Sequence, residues 1–224
     1  DAWHRGEPNV RSFMRAPSTT RGQTKWAFIL CGKLKDIDLS QKHTISARNQ
    51  RTGMQTADIV SPKKNAFSIV WVGYANQPII ENHDIIRITV EDEDNQRIIG
   101  ELEHAVSNRE FDQAYVYLEL DLKDIMPSRT VLAQNYPNPF NPETWIPYQL
   151  SKSVEVEIQI YDARGKIVRT LDLGMKPTGI YFNQTHAAYW DGTNTAGEQV
   201  ASGIYFYTFR AGTFSQTKKL VVAR

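Results

Sequence analysis

The sequence predicts an all-β protein: two antiparallel β-sandwich domains in tandem, preceded by an extended N-terminal arm. Three observations predict it. Apolar and polar residues alternate in short runs along most of the chain, which is the period of half-buried strands. Turn-forming pairs separate these runs, and no segment sustains a 3.6-residue period. A proline-rich stretch then divides the runs into two series.

The arm is residues 1–22, DAWHRGEPNVRSFMRAPSTTRG, which follow neither period. Its apolar anchors are Trp3, Phe13 and Met14. Ordering a chain costs about 1–2 kcal/mol per residue, and each buried anchor returns only about 1.5–3 kcal/mol. Such an arm is therefore expected to add its backbone to an exposed sheet edge, of its own body or of a neighbouring copy.

The first sandwich is expected over 23–126. WAFILCG places Trp26, Phe28 and Leu30 on one face. AFSIVWVGY alternates through Phe67, Ile69 and Trp71, and DIIRITVED through Ile86, Ile88 and Val90. In AYVYLELDL, Val116, Leu118, Leu120 and Leu122 face one way, with Tyr115, Tyr117, Glu119 and Asp121 opposite. Thr52-Gly53, Ser61-Pro62 and Asp94-Asn95 carry turn chemistry. SNREFDQA (107–114) reads as one helical turn.

The linker and second sandwich occupy 127–224. Met126-Pro127-Ser128 breaks the pattern, and QNYPNPFNPETWIPYQL follows. Each proline lacks an N–H and pushes its predecessor to extended geometry. The stretch is therefore expected to cross the surface as an extended strap, with Tyr136, Phe140 and Trp145 as anchors. VEVEIQIYD then alternates through Val154, Val156, Ile158 and Ile160, and the later runs end in FSQTKKLVVAR. Asp162-Ala163-Arg164-Gly165 and Ala211-Gly212 read as hairpin turns. Trp190 reads as a core plug, and Lys218 and Lys219 mark a final edge strand protected by charge.

Composition narrows the function. Lys plus Arg total 26 against 25 Asp plus Glu, so nothing in the charge points to nucleic acid. No apolar run reaches the roughly 18 residues of a membrane span. The single Cys31 rules out a disulfide within these residues, and its apolar run makes it inert packing. The five histidines have no metal-type spacing, and there is no G-x-S-x-G elbow and no glycine-rich phosphate loop. No enzyme and no cofactor are expected. Calcium is the one cation to weigh, with Glu91, Asp92 and Asp94 on a hairpin and Asp191 and Asn194 in a turn. Strand alternation divides the first cluster, which reads first as a solvated turn, and the second, with Glu198, lacks EF-hand spacing and reads first as a closing turn.

LAQNYPNPFNPETWIPYQL, VEIQIYDARGKIVRTL, YWDGTNTAGEQVASGIYFYTFRAG and TKKLVVAR, in that order, make residues 132–224 resemble the C-terminal sorting domain of type IX secretion cargo. That domain is an Ig-like sandwich related to one in flagellar hook-capping proteins. SARNQRTGMQTADIV, AFSIVWVGY and DIIRITVEDEDNQRIIG give residues 23–126 a weaker resemblance to transthyretin-like or carboxypeptidase-regulatory-like sandwiches. The resemblance implies a non-enzymatic structural or interaction protein, extracellular or on the outer surface of a bacterium. Its expected partners are proteins: secretion or surface-attachment machinery, and further copies joined into a surface assembly or filament through the arm or exposed sheet edges. The alternative is a carbohydrate-binding module, or the accessory tail of a secreted hydrolase, which a planar row of exposed aromatics would favour.

Overall fold

The computed structural model describes residues 27–36, 41–60, 65–73, 79–94 and 97–223. The predicted arm, with Trp3, Phe13 and Met14, lies outside the described residues, as do Trp26, Ser61-Pro62 and Asn95.

The first series gives β1 (Ala27–Lys35), β2 (His43–Asn49), β3 (Gln55–Ile59), β4 (Ala66–Val72), β5 (Ile85–Asp92), β6 (Arg97–Ala105) and β7 (Tyr115–Asp121). Short helices α1 (Asn108–Gln113) and α2 (Leu122–Ile125) flank β7. One sheet runs β4-β1-β7, and β3-β2-β5-β6 lie side by side in the other. Phe28, Leu30, Phe67, Ile69, Trp71 and Val116 from the first meet Ile45, Ile86, Ile88 and Val90 from the second in one buried cluster. The alternation in the sequence therefore does select the inner face.

The second series gives β8 (Val131–Leu132), β9 (Thr144–Ile146), β10 (Tyr148–Leu150), β11 (Val154–Tyr161), β12 (Ile167–Lys176), β13 (Gly179–Tyr181), β14 (Ala188–Trp190), β15 (Gly203–Ala211) and β16 (Phe214–Val222). A four-stranded sheet runs β12-β11-β15-β16, and β14 pairs with β9. A second buried cluster collects Phe140, Tyr148, Ile158, Ile160, Tyr181, Trp190, Tyr207 and Phe209. Tyr148 and Tyr181 stack at 4.7 Å inside it, and burial pushes the Tyr181 hydroxyl up to about 12. Trp190 is the expected plug, 1% exposed, with its indole N–H donating to the Thr193 carbonyl at 2.9 Å.

Four expectations need correction. The sheets are not wholly antiparallel: β1 and β7 are parallel, from Ile29–Tyr115 to Lys35–Asp121. Parallel neighbours need a long crossover, and here the whole β2–β6 excursion supplies it. The tandem sandwiches are not separate in their sheets, because β13 of the second series pairs with β6 of the first and yields one sheet ordered β3-β2-β5-β6-β13-β10-β8. Without β13, β6 would present an unpaired edge. Leu122 does not continue its strand: the Asp121 side chain caps α2 by accepting from the Lys123 N–H at 3.0 Å. The proline strap is not simply extended. Tyr136 and Trp145 exchange both backbone hydrogen bonds at 2.9 Å, so residues 136–145 close on themselves as a loop.

Candidate functional site

The proline loop joins its anchors to β16 and the residue after it. Phe140 is 1% exposed and packs on Trp190 with ring centroids 5.4 Å apart. Its N–H donates to the Val221 carbonyl, and its carbonyl accepts from the Ala223 N–H, both at 3.0 Å. The Asn138 side-chain oxygen accepts from the Val221 N–H at 2.9 Å, and the Gln134 amide donates to the Lys219 carbonyl at 2.8 Å. The loop thus supplies partners along the last part of β16, where no further strand of the described residues lies. Proline cannot do this through its own nitrogen, so Asn138 and Phe140, between the prolines, provide the contacts.

Inside the loop is a polar cluster that the sequence reading missed. Asn135, 2% exposed, donates its N–H to the Tyr207 hydroxyl at 3.1 Å, and that hydroxyl donates to the Ala133 carbonyl at 3.0 Å. The Asn135 amide donates to Thr144 Oγ1 at 2.9 Å, which donates to the Pro137 carbonyl at 3.0 Å. Burial pushes the Tyr207 hydroxyl up to about 12. The available signal was a tyrosine at an inward position of an aromatic strand, since a buried hydroxyl must find partners.

Tyr136 and Trp145, both half-buried, stack at 6.2 Å, and Trp145 meets Tyr189 at 5.8 Å. Tyr189 is 48% exposed and donates to Glu143 at 2.8 Å, while Tyr136 donates to the Phe182 carbonyl at 2.8 Å. The last two rings are inclined at 53°. They do not make one plane on which a run of sugar rings could lie, and the described contacts of Tyr136 and Trp145 stay within the second series.

The acidic candidates are engaged in turns. Burial, with the charge of Glu93, pushes the Glu91 carboxyl up. Asp92 is buried against Arg97, and Glu93 accepts from Lys42 and Thr44. Asp94 accepts from the Lys42 N–H at 2.9 Å. Asp191 accepts from the Thr193 N–H and hydroxyl at 3.0 and 2.7 Å, and Asn194 closes its turn by accepting from Ala196 and Glu198. Burial opposes the Asp191 charge, but the Thr193 hydrogen bonds and the Arg169 charge together outweigh it and hold the pKa below its ordinary value. Among the described residues no three His, Cys, Asp or Glu side chains are grouped to hold a metal ion. Cys31 is buried, with its thiol 3.6 Å from the Val116 carbonyl, and burial pushes its pKa up. Lys218 and Lys219 part company: Lys218 pairs with buried Tyr207 and is half-buried, while Lys219 pairs with Phe206 on the exposed face.

Residues 141–215 match the FlgD Ig-like domain. The Ig-like reading of the second sandwich rests on that match, which begins inside the proline loop and ends early in β16. No curated protein matches the chain. Among solved structures it is similar to PorZ, a surface component of the type IX secretion system of Porphyromonas gingivalis, at 21% identity over 41% of this chain and 11% of PorZ, with a TM-score of 0.29. It is similar to latent PorU of the same organism at 19% identity over 71% of this chain and 14% of PorU, with a TM-score of 0.35. FlgD from P. aeruginosa is 21% identical over 42% of this chain and 60% of its own, with a TM-score of 0.26. The chain thus spans only 11% and 14% of the first two proteins. No helix of the described residues is long and apolar enough to cross a membrane.

Proposed function

We propose that the chain is a non-enzymatic structural and interaction protein at the outer surface of a bacterium. The second sandwich acts as a sorting or attachment module, and the first presents interaction surfaces. The observation that supports this reading is the FlgD Ig-like match at 141–215, taken with the closure of β16 by the proline loop, which leaves the last strand docked within the module. Self-association through sheet edges belongs to the same reading, with β3, β4, β7, β8 and β12 among the terminal strands of the described sheets. The 53° tilt between Trp145 and Tyr189 speaks against the sugar-binding alternative at that pair.

The test is export. The full chain, behind a leader peptide and carrying an epitope tag, is expressed in a bacterium with a type IX system and in a mutant lacking it. Surface or medium localisation in the first and periplasmic retention in the second is the expected result. Equal distribution in both overturns the sorting role, and hydrolase turnover abolished by a single substitution overturns the non-enzymatic one.

A further inference from the structure

The outer face of the β12-β11-β15-β16 sheet changes character along its strands. Cross-strand pairs Ile167–Tyr161, Tyr161–Phe206 and Phe206–Lys219 put one residue from each strand into a single row. Ile204–Val221 lies beside it. Directly paired residues share a face, and the alternate residues Ile160, Tyr205, Tyr207, Leu220 and Val222 are buried, so this row faces outward. Ile204 is 50%, Ile167 46% and Phe206 39% exposed.

The charges around the row are sorted. The hairpin joining β11 to β12 turns at this end and carries exposed Arg164 and Lys166. Its one acid, Asp162, is turned back on the loop, accepting from the Arg164 and Lys166 N–H groups at 2.9 Å. Exposed Lys219 closes the row on the other side. Further along the same face the cross-strand row is Asp172, Glu157, Arg210 and Ser215, where Arg210 donates to Glu157 at 3.3 Å and to Gln159 at 2.9 Å. On the sheet and its hairpin the apolar end is therefore basic, with Asp172 and Glu157 toward the other end, beyond which Met175, paired with Glu155, is 67% exposed. Exposed Glu198 is an acid near this end, in the turn whose Thr195 N–H donates to the Val168 carbonyl at 2.9 Å.

We propose that the basic, apolar end of this sheet docks on an anionic lipid surface. Ile167, Ile204 and Phe206 enter the boundary between headgroups and acyl chains, and Arg164, Lys166 and Lys219 meet the phosphates. Charge complementarity selects this occupant: exposed apolar side chains flanked by Arg164 and Lys166 on the hairpin and by Lys219 on β16 match a surface that is apolar beneath and negative above. Asp172 and Glu157 keep the far end off the membrane, so the sandwich stands on its edge. This goes beyond the sorting reading, because lipid binding is a property of the chain after export.

The test is co-sedimentation of the full chain with phosphatidylcholine vesicles, with and without phosphatidylglycerol. Binding about tenfold or more stronger to the anionic vesicles, weakened by added salt, is expected. Phe206→Ser with Ile204→Ser abolishes it, and Lys166→Glu with Lys219→Glu reduces it to the neutral-vesicle level. Arg210→Glu, at the far end, leaves it unchanged. Thermal melts check that the variants stay folded. Equal binding to both vesicles, or binding indifferent to these substitutions, overturns the proposal. So does a concentration-dependent dimer lost in Phe206→Ser, which makes a second copy the occupant. Loss of binding in Arg210→Glu overturns the end-on orientation.

Discussion

Ile98 of β6 and Ile180 of β13 pair antiparallel across the boundary between the two series. Around this bridge the two sandwiches share polar contacts. Arg97 is paired to buried Asp92 at 3.2 Å and donates to the Thr178 carbonyl. Gly179 lies so close that an added Cβ would come within 2.8 Å of the Ile98 carbonyl oxygen.

Gly179→Val should force β13 away from β6. Overpacking of this kind costs about 1–3 kcal/mol. Calorimetry of the full chain is expected to show one transition for the parent and two separated transitions for the variant. A single unshifted transition in the variant would mean that the junction carries no coupling.

Tyr207→Phe should destabilise the second sandwich by about 1–3 kcal/mol. It removes the hydroxyl that serves both the Asn135 N–H and the Ala133 carbonyl. Urea unfolding measures it, with Tyr189→Phe, at a 48% exposed site, expected to change little.

Phe140→Ala should cost about 3–5 kcal/mol as a core truncation and loosen the loop from β16. Light scattering is expected to show larger particles than the parent at equal concentration, since the uncovered edge can pair with another copy. Unchanged size with unchanged stability would show that Phe140 is not the anchor.

Acid should weaken the first sandwich through Asp84. Burial raises the cost of its charge, but hydrogen bonds from Arg51, Asn49 and the Glu81 N–H outweigh it and hold the pKa below the ordinary value. A folded-state pKa below the unfolded one gives stability that is present above the unfolded pKa and lost as pH falls through the folded one. Unfolding free energy should thus decline below about pH 4, and Asp84→Asn should flatten that decline. An equal slope in both proteins would assign the acid sensitivity elsewhere.

Much of the fold was legible because burial follows the pleat. Ile86, Ile88 and Val90 read as one face and form one buried face, since side chains alternate whatever the neighbouring strand is. The same logic is silent about which strand is the neighbour, so the parallel β1–β7 pair and the crossing at Ile98–Ile180 were invisible. SNREFDQA was legible as a helical turn through local chemistry: Ser107 and Glu110 form a capping box at α1. The loop over β16 was half legible. The prolines announced a segment outside the ladders, and Phe140 was named as an anchor. Its destination depends on Asn138 reaching Val221, 83 residues away, and no local pattern encodes that distance. Asn135 and Thr144 were passed over because polar residues among prolines ordinarily face water.

The grip of the proline loop on Val221 and Ala223 also bears on the order of events during synthesis. The loop emerges from the ribosome well before the strand it holds, and Asn138 waits for a partner 83 residues later. The loop and the outer edge of β16 are therefore satisfied in one step. A chain cut before Val221 leaves Asn138 and Phe140 without their mates, and the open edge that results is the kind of exposed surface that chaperones recognise.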